Sequence, residues 1–297
     1  MFGALVIDKA TGWTSHDVVA KMRGIARTKK IGHLGTLDPM ATGVLPLLLG
    51  NATRLARYFT AERKVYEGVI RFGFSTSTYD AEGEPVSETQ PFLADAEALN
   101  GVIAQRFLGE FSQMPPAVSA KKIGGVPAYK LARQNKEVSL MAVAVRVEDF
   151  RVLACEGDRA RVRVVCSAGT YVRSLAHDLG QALGVGAHLA ELRRHASGCF
   201  TLQQAMTLEE AQELANQDSL FTRLIPAAQL LPEYPTEVVD DLTAKQIRDG
   251  RTFRVSPFLI TATHPRLKAV TRRGVLVAIG ERKLHNLYQP ALVFPAP

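Results

Sequence analysis

Cysteine is scarce in this chain. The 297 residues include three, Cys155, Cys166 and Cys199, widely separated and without a CxxC pair. That argues against a disulfide framework and an all-cysteine zinc site, and it fits a reducing cytoplasm. Long apolar runs are also missing. The longest, Val44 to Leu49, falls far short of the roughly 18 residues of a membrane span. No basic region precedes the apolar run near the N-terminus, which Asp8 and Lys9 interrupt, so no signal peptide is expected. Neither GxGxxG nor Gly-Lys-Ser/Thr occurs, which removes the dinucleotide fingerprint and the phosphate-binding P-loop. There is no internal repeat, and 46% hydrophobic with 22% charged residues excludes collagen, low-complexity disorder and coiled coil. The length accommodates about two domains.

What is present is an uneven charge. The net charge is +7, with 36 Lys and Arg against 29 Asp and Glu. From Thr243 onward there are ten cations and only two acids, Asp249 and Glu281. That stretch is +8, and the 26 cations and 27 acids before it leave −1. A basic end on a neutral body suggests a polyanionic partner, most often nucleic acid.

Periodicity outlines the elements. Gly3 to Ile7 reads as a buried strand, and Ser15 as the cap of a helix with Val18, Val19, Met22 and Ile25 on one face. A short helix is expected around Ala52 to Phe59, a strand over Tyr66 to Phe74 and a helix over Ala94 to Phe107. The prolines, lysines and Gly-Gly pair of Gln113 to Asn135 indicate a long loop or thumb-like insertion. Val145 to Cys155 and Arg161 to Cys166 form strands joined by the Glu156-Gly-Asp158 turn. Thr170 is placed to cap a helix running through Leu183. Pro226 to Tyr234 reads as a linker, followed by short β-like runs that coincide with the basic end.

The densest unusual segment is Gly32-His-Leu-Gly-Thr-Leu-Asp38-Pro39. Its glycines allow a tight backbone and close approach, and Pro39 biases Asp38 toward an extended conformation. On its own the Asp-Pro pair reads as a turn with a local cap. His33 has no companion at metal-ligand spacing, so it reads as a surface or packing histidine. Gly32 through Leu45, however, resembles the catalytic motif of TruB-type tRNA pseudouridine synthases, Gly-His-x-Gly-Thr-Leu-Asp-Pro-x-Ala-x-Gly-Val-Leu. Supporting blocks follow that family's order. They are Asp8-Lys9 with Gly12 and Thr14-Ser15, Lys64-Val-Tyr66-Glu, Pro115-Pro116 with Ser119-Ala120, Gly169-Thr-Tyr-Val-Arg173-Ser-Leu, and Leu192-Arg193-Arg194. The resemblance covers about the first 200 residues. Ala10 and Val118 depart from it, standing where the family usually has Pro and Tyr.

The resemblance implies an α+β fold: a mixed, largely antiparallel sheet flanked by helices. The catalytic domain would span residues 1–230, with a thumb-like insertion at about 113–140. A small β-barrel-like, PUA-like RNA-binding domain would occupy 236–297. The implied reaction is isomerisation of uridine to pseudouridine at position 55 in the T-loop of tRNA. It involves neither redox change nor net hydrolysis, so no cofactor and no metal is required. Asp38 would be the catalytic carboxylate, attacking covalently or abstracting a sugar proton. Arg173 would pair with it and keep it ionised. Tyr66 would stack on the target base and Leu192 would form an apolar wall. His33 would fill the space left by the flipped uridine. Lys9 and Lys64, with Lys121, Lys122, Arg193 and Arg194, are candidates for phosphate contacts. The implied partner is the T-arm of tRNA, bound by a cytoplasmic monomer that needs no protein partner and no membrane. Two rival readings are a guide-RNA-dependent catalytic subunit and a non-catalytic tRNA-binding or folding protein.

Overall fold

The structure, a computed structural model, describes residues 2–59, 62–116, 122–123, 126–127, 141–256 and 263–296. The strands in chain order are β1 Gly3–Lys9, β2 Ile31–His33, β3 Thr42–Leu49, β4 Lys64–Phe72, β5 Gly109–Gln113, β6 Lys122–Ile123, β7 Val126–Pro127, β8 Val143–Glu156 and β9 Arg159–Cys166. They continue with β10 Ala187–Ser197, β11 Phe200–Thr201, β12 Ala205–Met206, β13 Ile225–Pro226, β14 Thr236–Val239, β15 Phe253–Arg254, β16 Arg266–Thr271, β17 Leu276–Leu284 and β18 Leu287–Val293. The helices are α1 Ser15–Ile25, α2 Ala96–Arg106, α3 Val172–Leu183, α4 Leu208–Asn216 and α5 Asp241–Arg248.

The large sheet runs β12-β1-β3-β10-β4-β9-β8-β5. Its pairs β1–β12 and β3–β10 are parallel and the others antiparallel, as the largely antiparallel reading expects. A second sheet, β14-β16-β17-β18-β15, curls into a half-barrel at the basic end of the chain. Among the described helices, α3 packs along β10, α2 against β8, and α1 against α4.

Burial explains which strands are apolar throughout. In β1, Leu5 and Ile7 join the core under the helices, while Ala4 and Val6 face a second core. In β3, Leu45, Leu47 and Leu49 face the first core and Val44 and Leu48 the second. Both strands are covered on both faces, so each reads as a continuous apolar run. By contrast β9 alternates, with Ala160, Val162 and Val164 buried and Arg159, Arg161 and Arg163 on the open face.

The second core joins the two sheets. It combines Ala4, Val6, Val44 and Leu48 with Val270, Leu276, Ile279, Leu292 and Phe294. Phe2 stacks on Phe294 at 5.2 Å, and Arg54 Nη1 donates to the Val293 carbonyl at 2.6 Å. The segment expected as a linker is part of this core: Ala227, Leu230 and Leu231 are buried, and β13 pairs with β1. These apolar side chains make it a packed corner rather than a flexible tether. One cation of the basic end is likewise internal. Lys268 is buried, and its Nζ donates to the carbonyls of Ala228 and Leu230.

Two expected caps are corrected. Thr14, not Ser15, caps α1, in a reciprocal capping box with Asp17. Val172 opens α3 without a side-chain cap, because the backbone of Tyr171 is held from outside the helix. The strand over β10 and the helix α4 have no counterpart in the periodicity reading. Most of the 113–140 insertion, including Val118, Ser119, Ala120 and Lys121, lies outside the described residues, as does the side chain of Lys122.

Candidate functional site

Asp38 sits in the loop from β2 to β3, and nearly every residue around it is tied down. Arg194 reaches in from β10, its Nε donating to Val44 O at 2.7 Å and its two Nη atoms to Thr36 O and Gly35 O. On the other side the Ser15 hydroxyl bonds both to the Leu37 amide, at 2.8 Å, and to the Leu37 carbonyl. Past Asp38, the Pro39 carbonyl accepts from the Gly12 amide and from Lys9 Nζ. Ala41 N closes a turn onto Asp38 O at 3.1 Å. Gly43 is obligatory here: at φ +101 a Cβ would lie 2.3 Å from the Arg194 carbonyl, where β3 meets β10. The loop is thus clamped through its backbone on both sides of Asp38.

That carboxylate faces Arg173 in the first turn of α3. Arg173 Nε lies 3.0 Å from Asp38 Oδ2 and Nη2 lies 3.1 Å from Oδ1, a two-point, side-on pairing. The guanidinium is 5% exposed and Asp38 is 35% exposed, so the pair is anchored on one side and open on the other. The remaining nitrogen, Nη1, donates to Asp80 Oδ2 at 3.0 Å and to the Thr78 carbonyl at 3.1 Å. Asp80 is itself buried. One cation is therefore shared by two carboxylates, which fixes its plane. The start of α3 is held by Gln113, whose side-chain amide donates to Tyr171 O and accepts from Tyr171 N. The Ser174 hydroxyl adds a bond to Met114 O.

A cleft of about 420 Å³ opens over this pair. Thr36, Leu37, Asp38, Lys64, Tyr66 and Leu192 line it, together with the Gly169–Arg173 turn. Burial pushes the Asp38 carboxyl above its ordinary range, and Arg173 pulls against that shift. Burial lowers Lys64 to about 8 and raises the Tyr66 phenol, which Arg194 beside it opposes. Such a site can hold a planar base against an aromatic ring and an apolar wall, with an oriented carboxylate beneath. Among the described residues no cluster of three or more His, Cys, Asp or Glu could hold a metal ion.

The structure thus brings together Asp38, Tyr66, Arg173, Leu192 and Lys64. It gives others different places. Lys9 is fully buried, and its Nζ donates to the carbonyls of Ala10, Trp13 and Pro39, so it braces the Asp38 loop instead of reaching a phosphate. Arg194 is a second such brace. Arg193 turns to Asp8, at 2.6 Å, and to Thr42. His33 ends β2 outside the cleft lining, with its ring edge-on to His16 at 5.4 Å. Asp80, Gln113 and Ser15 were not legible as parts of a site. Asp80 resembles an ordinary turn aspartate, and it does accept such a bond from Glu82 N.

Comparison with known proteins places this geometry in a class. A chain in a solved structure titled "Structure of H/ACA RNP bound to a substrate RNA containing 2'-deoxyuridine" superimposes with a TM-score of 0.74 at 25% identity. The match covers 99% of this chain and 86% of that one. The fold is that of pseudouridine synthases. Residues 23–172 match the TruB family pseudouridylate synthase N-terminal domain, and residues 173–231 match the tRNA pseudouridylate synthase B C-terminal domain. A protein of Solibacter usitatus named tRNA pseudouridine synthase B is 57% identical over 99% of this chain and all of its own length. One of the same name from Stutzerimonas stutzeri is 39% identical over 94% of this chain and 91% of its own. The chain belongs to the TruB family of pseudouridylate synthases. Among the described residues no helix is long and apolar enough to cross a membrane.

Proposed function

We propose that this chain isomerises uridine to pseudouridine in tRNA, at position 55 of the T-loop, with Asp38 acting on a flipped-out uridine. The observation that carries the reading is the side-on pairing of Arg173 with Asp38 at the floor of the cleft. The names of the relatives support tRNA as the substrate. A pocket of this size suits one nucleotide, which must leave its stack to enter. The C1′–N1 bond breaks, the uracil turns between Tyr66 and Leu192, and C1′ rejoins at C5. C5 then loses its proton and N1 gains one, so the product is an isomer. Asp38 either attacks the sugar or removes a sugar proton. Both routes require the ionised carboxylate that Arg173 favours.

Residues 1–230 carry the chemistry in this reading, and the PUA-like region over 236–297 adds RNA affinity. Lys64 contacts the RNA at the cleft edge, and His33 fills the gap left in the loop. The enzyme works as a cytoplasmic monomer without cofactor, metal or guide RNA. The test is to incubate the purified chain with an unmodified tRNA transcript and map pseudouridine. Modification at position 55 without any guide RNA is the expected result. Product that forms only when a guide RNA is added would transfer the chain to the guide-dependent class. Tight tRNA binding with no product would make it a binding protein.

A further inference from the structure

We propose that Tyr79 and His177 form a latch that positions the Arg173–Asp80 pair, and through it Asp38. The proposal rests on the reading that the Asp38–Arg173 pair carries the chemistry. Tyr79 stands between Thr78 and Asp80, the two residues that bind Arg173 Nη1. Its backbone is left-handed, at φ +64, a conformation that favours glycine and is uncommon for an aromatic residue. Its ring lies flat on the His177 imidazole, with centroids 3.7 Å apart and planes 12° from parallel. That is the closest ring pair among the described residues. His177 follows Arg173 by four residues on α3, so the two share a helix face.

The backbone of the loop is anchored elsewhere. Leu189 N donates to Tyr79 O at 3.0 Å, Ala81 N donates to Leu189 O, and Asp80 bridges to Leu189. Those bonds fix the loop to β10, not to α3. Arg173, however, belongs to α3. The stack therefore ties the loop that carries Asp80 to the helix that carries Arg173, independently of the ion pair itself. His177 Nδ1 is buried without a hydrogen-bond partner, so the ring is located by stacking and not by a polar contact. Gln181 on α3 also donates to Ser75 Oγ, at 3.2 Å, so without the latch the loop and helix stay tethered at that end while the Thr78–Asp80 segment is free to shift against Arg173. Arg173 would then follow one carboxylate or the other, and its plane against Asp38 would no longer be set.

The experiment measures single-turnover pseudouridine formation on tRNA, tRNA affinity and thermal melting for Tyr79→Phe, Tyr79→Ala, Tyr79→Gly and His177→Ala. The expected result is a roughly tenfold loss of rate for Tyr79→Ala, Tyr79→Gly and His177→Ala, with affinity within about twofold of wild type. Tyr79→Phe keeps the ring and should stay within about twofold in both. Tyr79→Gly suits the backbone and lacks the ring, so a rate loss in a protein that melts normally assigns the effect to the stack. Normal rates in folded Tyr79→Gly and His177→Ala would overturn the latch. So would a loss of tRNA affinity at unchanged rate. Should Tyr79→Ala fail to fold, the glycine and His177 variants decide. Asp38→Asn is run alongside. If it stays active, the catalytic reading itself fails; if it is dead while the latch variants are normal, only the latch is wrong.

Discussion

The cations around Asp38 and those of the C-terminal sheet behave in opposite ways. Lys9, Arg173 and Arg194 belong to the part of the chain whose net charge is −1, yet all three are buried and spend their protons on named carbonyls and carboxylates. The region with +8 keeps Lys245, Arg248, Arg251, Arg254, Arg272, Arg273, Arg282 and Lys283 at or near the surface, and only Lys268 turns inward. The count of charges along a sequence thus locates a basic surface, but not the cations that hold a loop in place. Buried cations set geometry because removing one leaves its partners unpaired in a poorly solvating interior. Exposed ones act additively and are screened by salt.

That contrast can be broken at several points. Asp38→Asn preserves shape and removes the ionisable group, so single-turnover rate should fall at least about a thousandfold, about 4 kcal/mol of barrier, with tRNA affinity nearly unchanged. Arg194→Met removes the brace from three carbonyls. Denaturant titration should show about 3 kcal/mol lost, and turnover should fall with it because the Asp38 loop loosens. Lys268→Met tests the inward exception. It leaves the Ala228 and Leu230 carbonyls unpaired and should cost about 2 kcal/mol of stability without altering the salt dependence of tRNA binding. A result confined to RNA affinity would return Lys268 to the surface group.

A smaller effect concerns pH. Burial lowers His33 to about 4 from an ordinary 6.5, so the unfolded chain binds the extra proton between those values. Stability from this residue is complete above the unfolded value and is lost as pH falls toward 4. Glu62, raised to about 7, acts with the opposite sign between its ordinary 4.5 and 7. Comparing wild type with His33→Gln by denaturant titration from pH 4.5 to 7 isolates the histidine, and the variant should lose less stability on acidification. The smallest effect should come from neutralising Arg272 and Arg273 to serine. Each phosphate contact removed should flatten the log–log salt slope by about 0.7–0.9, with turnover at saturating tRNA unchanged.

Much of the large sheet was legible. β1, the β8–β9 hairpin and α2 have clean periodicity or a clear turn, and the structure matches them within a few residues. β10 was not. Its sequence, Ala-His-Leu-Ala-Glu-Leu-Arg-Arg-His-Ala-Ser, is interrupted by two register shifts against β4, which scramble a period of two. The two helix starts were misread for a local reason. Ser15 and Thr170 are cap-type residues, but Thr14 competes with the first, and in place of a cap by the second, Gln113 holds the Tyr171 backbone from far along the chain. Within the site, the motif marked Asp38, Tyr66, Arg173 and Leu192. It could not separate Lys9 and Arg194 from surface cations, because their acceptors are backbone carbonyls that no sequence pattern announces.

The coverage of β1 on both faces also bears on how the molecule is made. The partners of this strand include Met206, Ile225 and, through Phe2, Phe294. During translation at about 5–20 residues per second, roughly 200 more residues must be added after β1 before Ile225 exists, a wait of about 10–40 s. For that time β3 can cover one edge of β1, while the other edge waits for β12 and β13. Such distant pairing also slows the search for the native topology, because the loop it closes is long. The same burial that makes β1 a seam between the two sheets therefore leaves one of its edges open to misassociation until its distant partners are made.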